Sequence, residues 1–475
     1  MAAALKIGSA RGCNSEVLLE LFPAADAGLI EELARREDEA GLPPQQSTAV
    51  DMPAAMPDAR TPLATLGGAP MPLVLAVFCA VYVGMALGRW PGLRIDRTGI
   101  AILGALVLYA SGTVDGKEAL QAIDFPTLIV LFGLMMLSAQ YAVCGFYDWC
   151  SARIAATRAA PVTILGLTVL VAGILSAVLA NDVIVFAMTP MLIKGLLRRG
   201  LDPRPYLIAL AGASNAGSAS TVIGNPQNIL IGQVGRLDFW EFLAACGPAA
   251  AFGLIAVFAV VGFVWRRQLH RPVAVDPEPI EVPPIDRLGV GKAALATIAL
   301  LAMFTTPLPQ VTGVLIIAAV LLVSRRLATR EILSLVDWHL LVLFAGLFVI
   351  TAAFAQAGLA AGTLAALTAV GIDPRGLPAL ASLTLAGSNT IGNVPTVVLL
   401  LAVLKDLPPD TLYALAALST LAGNLLIVGS LANIIVVERA SQSGVVLGFG
   451  EHARCGVPMT VLSFAAAAAW FAWRS

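Results

Sequence analysis

The stretch "GSASTVIGNPQNILIGQ", Gly217 to Gln233, lies in an apolar run long enough to cross a bilayer, yet it holds Ser, Thr, Asn, Gln and a proline. Non-helical backbone at membrane depth survives only where protein or a water-filled cavity surrounds it. Pro226 lacks an N–H and disfavours helical geometry at Asn225, and Gly224 accepts torsions other residues avoid. A helix is therefore expected to unwind at "IGNPQNI". The freed carbonyls suit a cation, the amides of the restarting half-helix suit an anion, and Asn228 offers both groups.

Composition sets the surroundings of this break. Of 475 residues, 58% are hydrophobic and 12% charged, whereas soluble domains carry about 25% charged residues. The apolar residues fall in blocks of helix-spanning length rather than in the short alternating segments of a barrel. The expected fold is thus an all-α polytopic membrane protein. A net charge of −1 suggests no nucleic-acid partner. Cys13, Cys79, Cys144, Cys150, Cys246 and Cys455 are scattered and form neither a disulfide framework nor a metal cluster.

Residues 1–70, with an amphipathic "SEVLLELFPAADAGLIEELARRE" and a Pro/Ala/Asp-rich stretch, are expected to be a disordered tail or an over-long start, without the layout of a signal peptide. The spans begin at Met71. A first half, 71–268, and a second, 291–475, flank a charged, Pro-rich cytoplasmic linker at 269–290. Each half reads as five spans plus one interrupted segment, giving about ten transmembrane helices and two re-entrant hairpins.

The halves match in sequence. "DFPTLIVLFGL" from Asp124 pairs with "DWHLLVLFAGL" from Asp337. "ALAGASNAGSASTVIGNPQNI" from Ala209 pairs without a gap with "ALAALSTLAGNLLIVGSLANI" from Ala414, setting Ser214 over Ser419, Gly224 over Gly429 and Asn228 over Asn433. The second copy has Gly429 and Ser430 but no proline, so its break is expected to be milder.

Charge placement orients the copies. Arg153, Arg158, Lys194, Arg198, Arg199 and Arg204 flank the first broken segment and place both its ends in the cytoplasm; Arg266, Arg267, Arg271, Arg325, Arg326 and Arg330 mark later returns. Around the second segment, Arg375 and Lys405 are offset by Asp373, Asp406 and Asp410, so it opens outward. Five spans are an odd number and invert the copy, the arrangement of secondary transporters.

The hairpin tips complete the candidate site. "LANDVIVFAMTP" puts Asn181 and Asp182 where a half-helix begins, in position to cap it. "GSNTIGNVPTVV" offers Ser388, Asn389, Thr390, Asn393 and Thr396, with Pro395 near a first helical turn. Asp182 favours a proton or Na+ as partner, because a carboxylate in lipid is costly. Ser214, Ser218, Ser220, Gly212 and Gly217 read as helix-packing residues, and His270, His339 and His452 as surface residues in connections.

From Met71 onward the chain resembles the ion transporter superfamily of arsenite permeases, NhaD-type sodium/proton antiporters, citrate-type carriers and divalent-anion symporters. The residues that carry the likeness are "LANDVIVFAMTP", "GNPQNILIG", "SNTIGNVPTVV" and "GSLANIIVVERA". The resemblance implies two inverted repeats, alternating access, and substrate and coupling ions at the hairpin tips. Asn181, Asn228, Asn393 and Asn433 fall on the family's motif positions, and Na+ is implied at Asp182, Asn228, Asn393 and Asn433. The first tip departs from the sodium-coupled dicarboxylate branch, reading Asn-Asp where that branch has Ser-Asn-Thr.

The expected activity is secondary transport of a small anion, an oxyanion or a carboxylate such as citrate, coupled to H+ or Na+ across a bacterial inner membrane. A Na+/H+ antiporter is the alternative, ahead of a channel or a membrane enzyme acting on lipid. No catalytic signature, nucleotide loop or organic cofactor is expected. The bilayer and a small anion are the expected partners, and a homodimer is the admissible assembly.

Overall fold

A computed structural model describes residues 71–88, 90, 92–270, 282–306, 308–323 and 328–474. The tail at 1–70 with Cys13, residues 271–281 of the linker expected at 269–290, which include Arg271, and Arg325 and Arg326 lie outside the described residues.

The first repeat begins with α1 (Met71–Leu87), α2 (Arg97–Ala110), α3 (Gly116–Ala122), α4 (Phe125–Val143) and α5 (Phe146–Ala156). Its first hairpin follows, α6 (Pro161–Val178) and α7 (Asn181–Arg198), then a broken helix, α8 (Arg204–Ser218) and α9 (Pro226–Gly235), and finally α10 (Phe239–Val264). After the short α11 (Arg266–Leu269) the second repeat starts with α12 (Arg287–Met303), α13 (Gln310–Leu322), α14 (Thr329–Leu333), α15 (Trp338–Gln356) and α16 (Leu359–Ala369). It continues with the hairpin α17 (Leu377–Thr390) and α18 (Asn393–Val403), the broken helix α19 (Pro409–Ala422) and α20 (Leu431–Gln442), and α21 (Phe449–Arg474). Helices α1 to α10 thus recur in order as α12 to α21.

Local geometry repeats as well. Asp124 and Asp337 cap α4 and α15 with nearly the same torsions, φ −77° and ψ 84° against φ −78° and ψ 83°, each accepting from the amide three residues on. Gly145 and Gly358 begin α5 and α16 in the same left-handed conformation, at φ 75° and 76°. Pro248 and Pro458 sit at matching places inside α10 and α21. Sequence reading passed over the short helices α3, α5, α14 and α16, because five to eleven residues carry too little periodic signal beside the spans.

Contacts at the helix ends show the inversion. Arg204 at the start of α8 pairs with Glu451 at the start of α21, and Arg474 at the end of α21 pairs with Asp410 at the start of α19 (3.4 Å). Trp470 Nε1, near the end of α21, donates to the Ala245 carbonyl near the start of α10 (2.8 Å). The paired helices α10 and α21 therefore run antiparallel, as do the starts of α8 and α19. The arms of the second hairpin, 14 and 11 residues long, reach only about 21 and 16 Å at 1.5 Å per residue, short of a roughly 30 Å core. They enter and leave on one side.

Arg199 has a structural task. It is buried, and its guanidinium donates to the carbonyls of Ala155 (3.2 Å), Thr157 (2.5 Å) and Ala159 (3.2 Å). One charge thus satisfies free acceptors at the end of α5 and ties the arm α7 to the chain entering α6.

Labelling tests the inversion. In a background without the exposed Cys79, a cysteine at exposed Arg198 should react with an impermeant maleimide only from the cytoplasm, and one at exposed Lys405 only from outside. Reaction of both from one side would refute the orientation.

Candidate functional site: two cross-braced helix breaks

Each broken helix is closed by an asparagine. Nδ2 of Asn228 donates to the carbonyls of Ser218 (3.1 Å) and Thr221 (3.0 Å). Nδ2 of Asn433 donates to the carbonyls of Gly423 (2.7 Å) and Leu426 (3.0 Å), which are the same positions of the second repeat. Carbonyls released by unwinding thus find donors within their own loop, and both amides are fully buried.

The second break is not milder than the first. Helix stops at Ser218 and restarts at Pro226 in one copy, and stops at Ala422 and restarts at Leu431 in the other, with a short 3-10 turn at Ile427–Gly429. The asparagine clasp, present in both copies, holds the loop open without a proline. Glycine enters through space rather than torsion. Neither Gly224 nor Gly429 has positive φ, but a Cβ on Gly224 would strike the Ser218 backbone, and one on Gly429 would strike Asn389 Oδ1.

The breaks are also braced against each other. Asn215 of α8 donates through Nδ2 to Asn424 Oδ1 (2.8 Å) and Asn433 Oδ1 (3.1 Å), and its oxygen accepts from the Ser430 hydroxyl (2.8 Å). Thr420 of α19 answers from the other side. Its hydroxyl accepts from Asn225 Nδ2 (3.1 Å) and Gln227 Nε2 (3.2 Å) and donates to Asn228 Oδ1 (3.3 Å). Asn225 also caps α9, accepting from the Asn228 amide (2.9 Å), whereas Ser430 spends its hydroxyl on Asn215.

The second hairpin is locked to its break. Asn389 donates to the carbonyls of Leu385 and Ala422 (both 2.9 Å) and accepts from the Leu426 amide (3.2 Å), while Ser388 donates to the Ser419 carbonyl (3.3 Å). Asn393, its carboxamide oriented by its neighbours, donates to the Gly429 carbonyl (2.7 Å), Ser388 Oγ (3.1 Å) and the Ser419 carbonyl (3.2 Å). Thr390 and Thr396 turn their hydroxyls onto their own hairpin, at Ala386 O (2.9 Å) and Gly392 O (2.7 Å) respectively.

The first tip is held by its backbone. Ser138 of α4 accepts from the Ala180 amide (3.0 Å), Ser214 donates to the Asn181 carbonyl (3.4 Å), and Thr221 donates to the Ala177 carbonyl. Ala180, not Asn181 or Asp182, occupies the cap position of α7, without a side-chain bond. Both polar residues already lie in the first helical turn, so their side chains are not spent on capping. Asn181 corresponds to Asn393 in the other copy, yet its buried Oδ1 has no hydrogen-bond partner. Asp182, half-buried, has no hydrogen bond or ion pair among the described residues.

Of the sites expected for Na+, the oxygens of Asn228 and Asn433 are therefore already engaged by Thr420 and Asn215. The unengaged oxygens gather at Asn181 and Asp182. His452 corrects another expectation: it is 1% exposed, and Nε2 lies 3.3 Å from the Asn424 carbonyl, so it belongs to the bracing network rather than to the surface. Sequence comparison missed Asn215 and Thr420 because they occupy one repeat position with different residues, and it missed Asn424 because its counterpart is Ala219.

Two hairpins thus face two cross-braced breaks in an all-helical chain. The citrate transporter family matches residues 73–416. The chain belongs to that family. A transporter of Mycobacterium tuberculosis is 27% identical over 425 residues, covering 84% of this chain and 97% of its own. The silicon efflux transporter LSI3 of Oryza sativa is 26% identical, over 82% of this chain and 93% of its own length, and a Dictyostelium discoideum transporter named arsB is 25% identical, over 78% and 86%. The fold is shared with the crystal structure of the Alcanivorax borkumensis YdaH transporter, at TM-score 0.55 and 15% identity over 85% of this chain and 98% of that one. Like its family, the protein is a multi-pass membrane transporter.

Asn215→Ala should strand the Ser430 hydroxyl and remove a donor from both Asn424 and Asn433, lowering stability by about 2 kcal/mol. Asn228→Ala and Asn433→Ala should do the same by freeing two carbonyls each. Thermal melting of purified protein checks this; unchanged melting would show that the clasps and the brace hold nothing together.

Proposed function

We propose that the protein is a secondary active carrier that moves a small anion, an oxyanion or a carboxylate such as citrate, together with H+ or Na+, across a bacterial inner membrane. The observation that carries this reading is the pairing of two opposite chemistries in one network. The half-helices α7, α9, α18 and α20 all begin within it, and helix N-termini favour negative charge. At the first tip stand the unpaired Asp182 carboxylate and the unpartnered Asn181 oxygen, which favour a cation.

The comparisons support the anion side. The matching family is described as citrate transporter, and relatives are named for silicon efflux and as arsB, so the substrates suggested span carboxylates and oxyacids. A Na+/H+ antiporter would use Asp182 and leave the four converging N-termini without a role. Coupling is assigned to the first tip because its oxygens are the unengaged ones. The motif asparagines of the breaks hold the backbone of the two loops.

Asp182→Asn tests the coupling role. The side chain holds nothing in the fold, so stability should change by no more than about 1 kcal/mol. Uptake in proteoliposomes should lose its dependence on an imposed pH or Na+ gradient. An unchanged gradient dependence with normal rate would place coupling elsewhere.

A further inference from the structure

We infer that Arg97, which lies outside both hairpins and both breaks, supplies the cationic contact for the carried anion at the second hairpin tip. The inference rests on the anion-carrier reading above. Arg97 is the first residue of α2, and its Nε donates to the Met85 carbonyl at the end of α1 (3.2 Å), which fixes the plane of the guanidinium. Nη1 then stands 3.5 Å from the point a Cβ on Gly392 would occupy. Gly392 is the second of the two residues between the arms of the second hairpin, directly before Asn393, with φ 99° and ψ 161°. That conformation belongs to glycine, so Gly392 itself places no side chain between the tip and the guanidinium. Gly392 and Asn393 are buried at the tip, while Thr390, two residues before Gly392, is exposed.

The charge is also unspent. Among the described residues no carboxylate pairs with Arg97: its neighbour Asp96 caps α2 through the Gly99 amide (2.9 Å). A half-buried guanidinium with one bond to a carbonyl keeps free N–H groups in a fixed fork, the geometry that grips a carboxylate or an oxyanion. A lysine would supply charge without the fork. The counterpart of Arg97 in the second repeat is Gln310, which bonds Gln233 and the Leu237 carbonyl (2.9 and 3.1 Å), so the cation exists in one copy only. One tip therefore carries the acid, Asp182, and the other faces the base.

The test uses the full chain, purified and reconstituted, with citrate as a charged probe and arsenite as one largely uncharged at neutral pH. Arg97→Gln keeps a donor for the Met85 carbonyl and should melt like the parent. It should raise the KM for citrate about tenfold or more while leaving the KM for arsenite within about twofold. Arg97→Lys should fall between parent and Gln for citrate and carries the test if the Gln variant does not fold. An equal effect on both probes, or no effect on citrate in a parent that transports it, would overturn the role of Arg97 alone. A parent that carries arsenite but neither citrate nor any other charged oxyanion would overturn the anion reading and this contact together.

Discussion

Unwinding a helix inside an apolar medium exposes carbonyls and amides that lipid cannot satisfy, and this single constraint shapes the centre of the molecule. The carboxamides of Asn228 and Asn433 meet it by bonding carbonyls released in their own loops. Asparagine suits the task because one short side chain offers two donors and an acceptor. Its acceptor is then free to bind across the duplication, to Thr420 in one copy and Asn215 in the other. The clasp and the brace are thus two ends of one side chain, which makes each loop's closure depend on the opposite repeat.

Duplication supplies a symmetric frame, and the chemistry departs from it in a few places. Asn393 is tied to its break while Asn181 keeps a buried free oxygen. Asp182 stands where the second copy has Val394, and Arg97 where it has Gln310. The identical pair Asn228 and Asn433 closes the loops, whereas the charged residues Asp182 and Arg97 each stand in one copy only. A carrier with identical halves could not assign anion and coupling ion to different tips; here the charges of the two repeats already differ.

The breaks, the hairpins and the repeat were legible because their signals are strong and local: proline and asparagine within apolar runs, and identical residues at one offset. The brace was not. Asn215 and Thr420 share a position but not an identity, and their role appears only when the two loops are set face to face. In sequence His452 reads as a surface residue of a connection, yet it is buried and its own ring meets the Asn424 carbonyl. Arg199 likewise looked like one of several cytoplasmic charges, yet three carbonyls take it out of water. Charge counts give the side of the membrane and say nothing about burial.

Electrostatics then constrains how such a site operates on the reading given above. An isolated anion beside the Asp182 carboxylate would place like charges in a poorly solvated space, and neither tip could be moved through lipid with that charge uncompensated. A proton or Na+ at Asp182 removes one negative charge, and a guanidinium at the other tip offsets the anion. The coupling ion is thereby a condition for burying the anion rather than an added passenger. Because Arg97 sits on α2, outside the braced core, its contribution belongs to the state in which the second tip lies against that helix. On that reading the affinity for the anion depends on whether the second tip lies against α2, and such a differential affinity is what lets a bound ligand bias a conformational equilibrium.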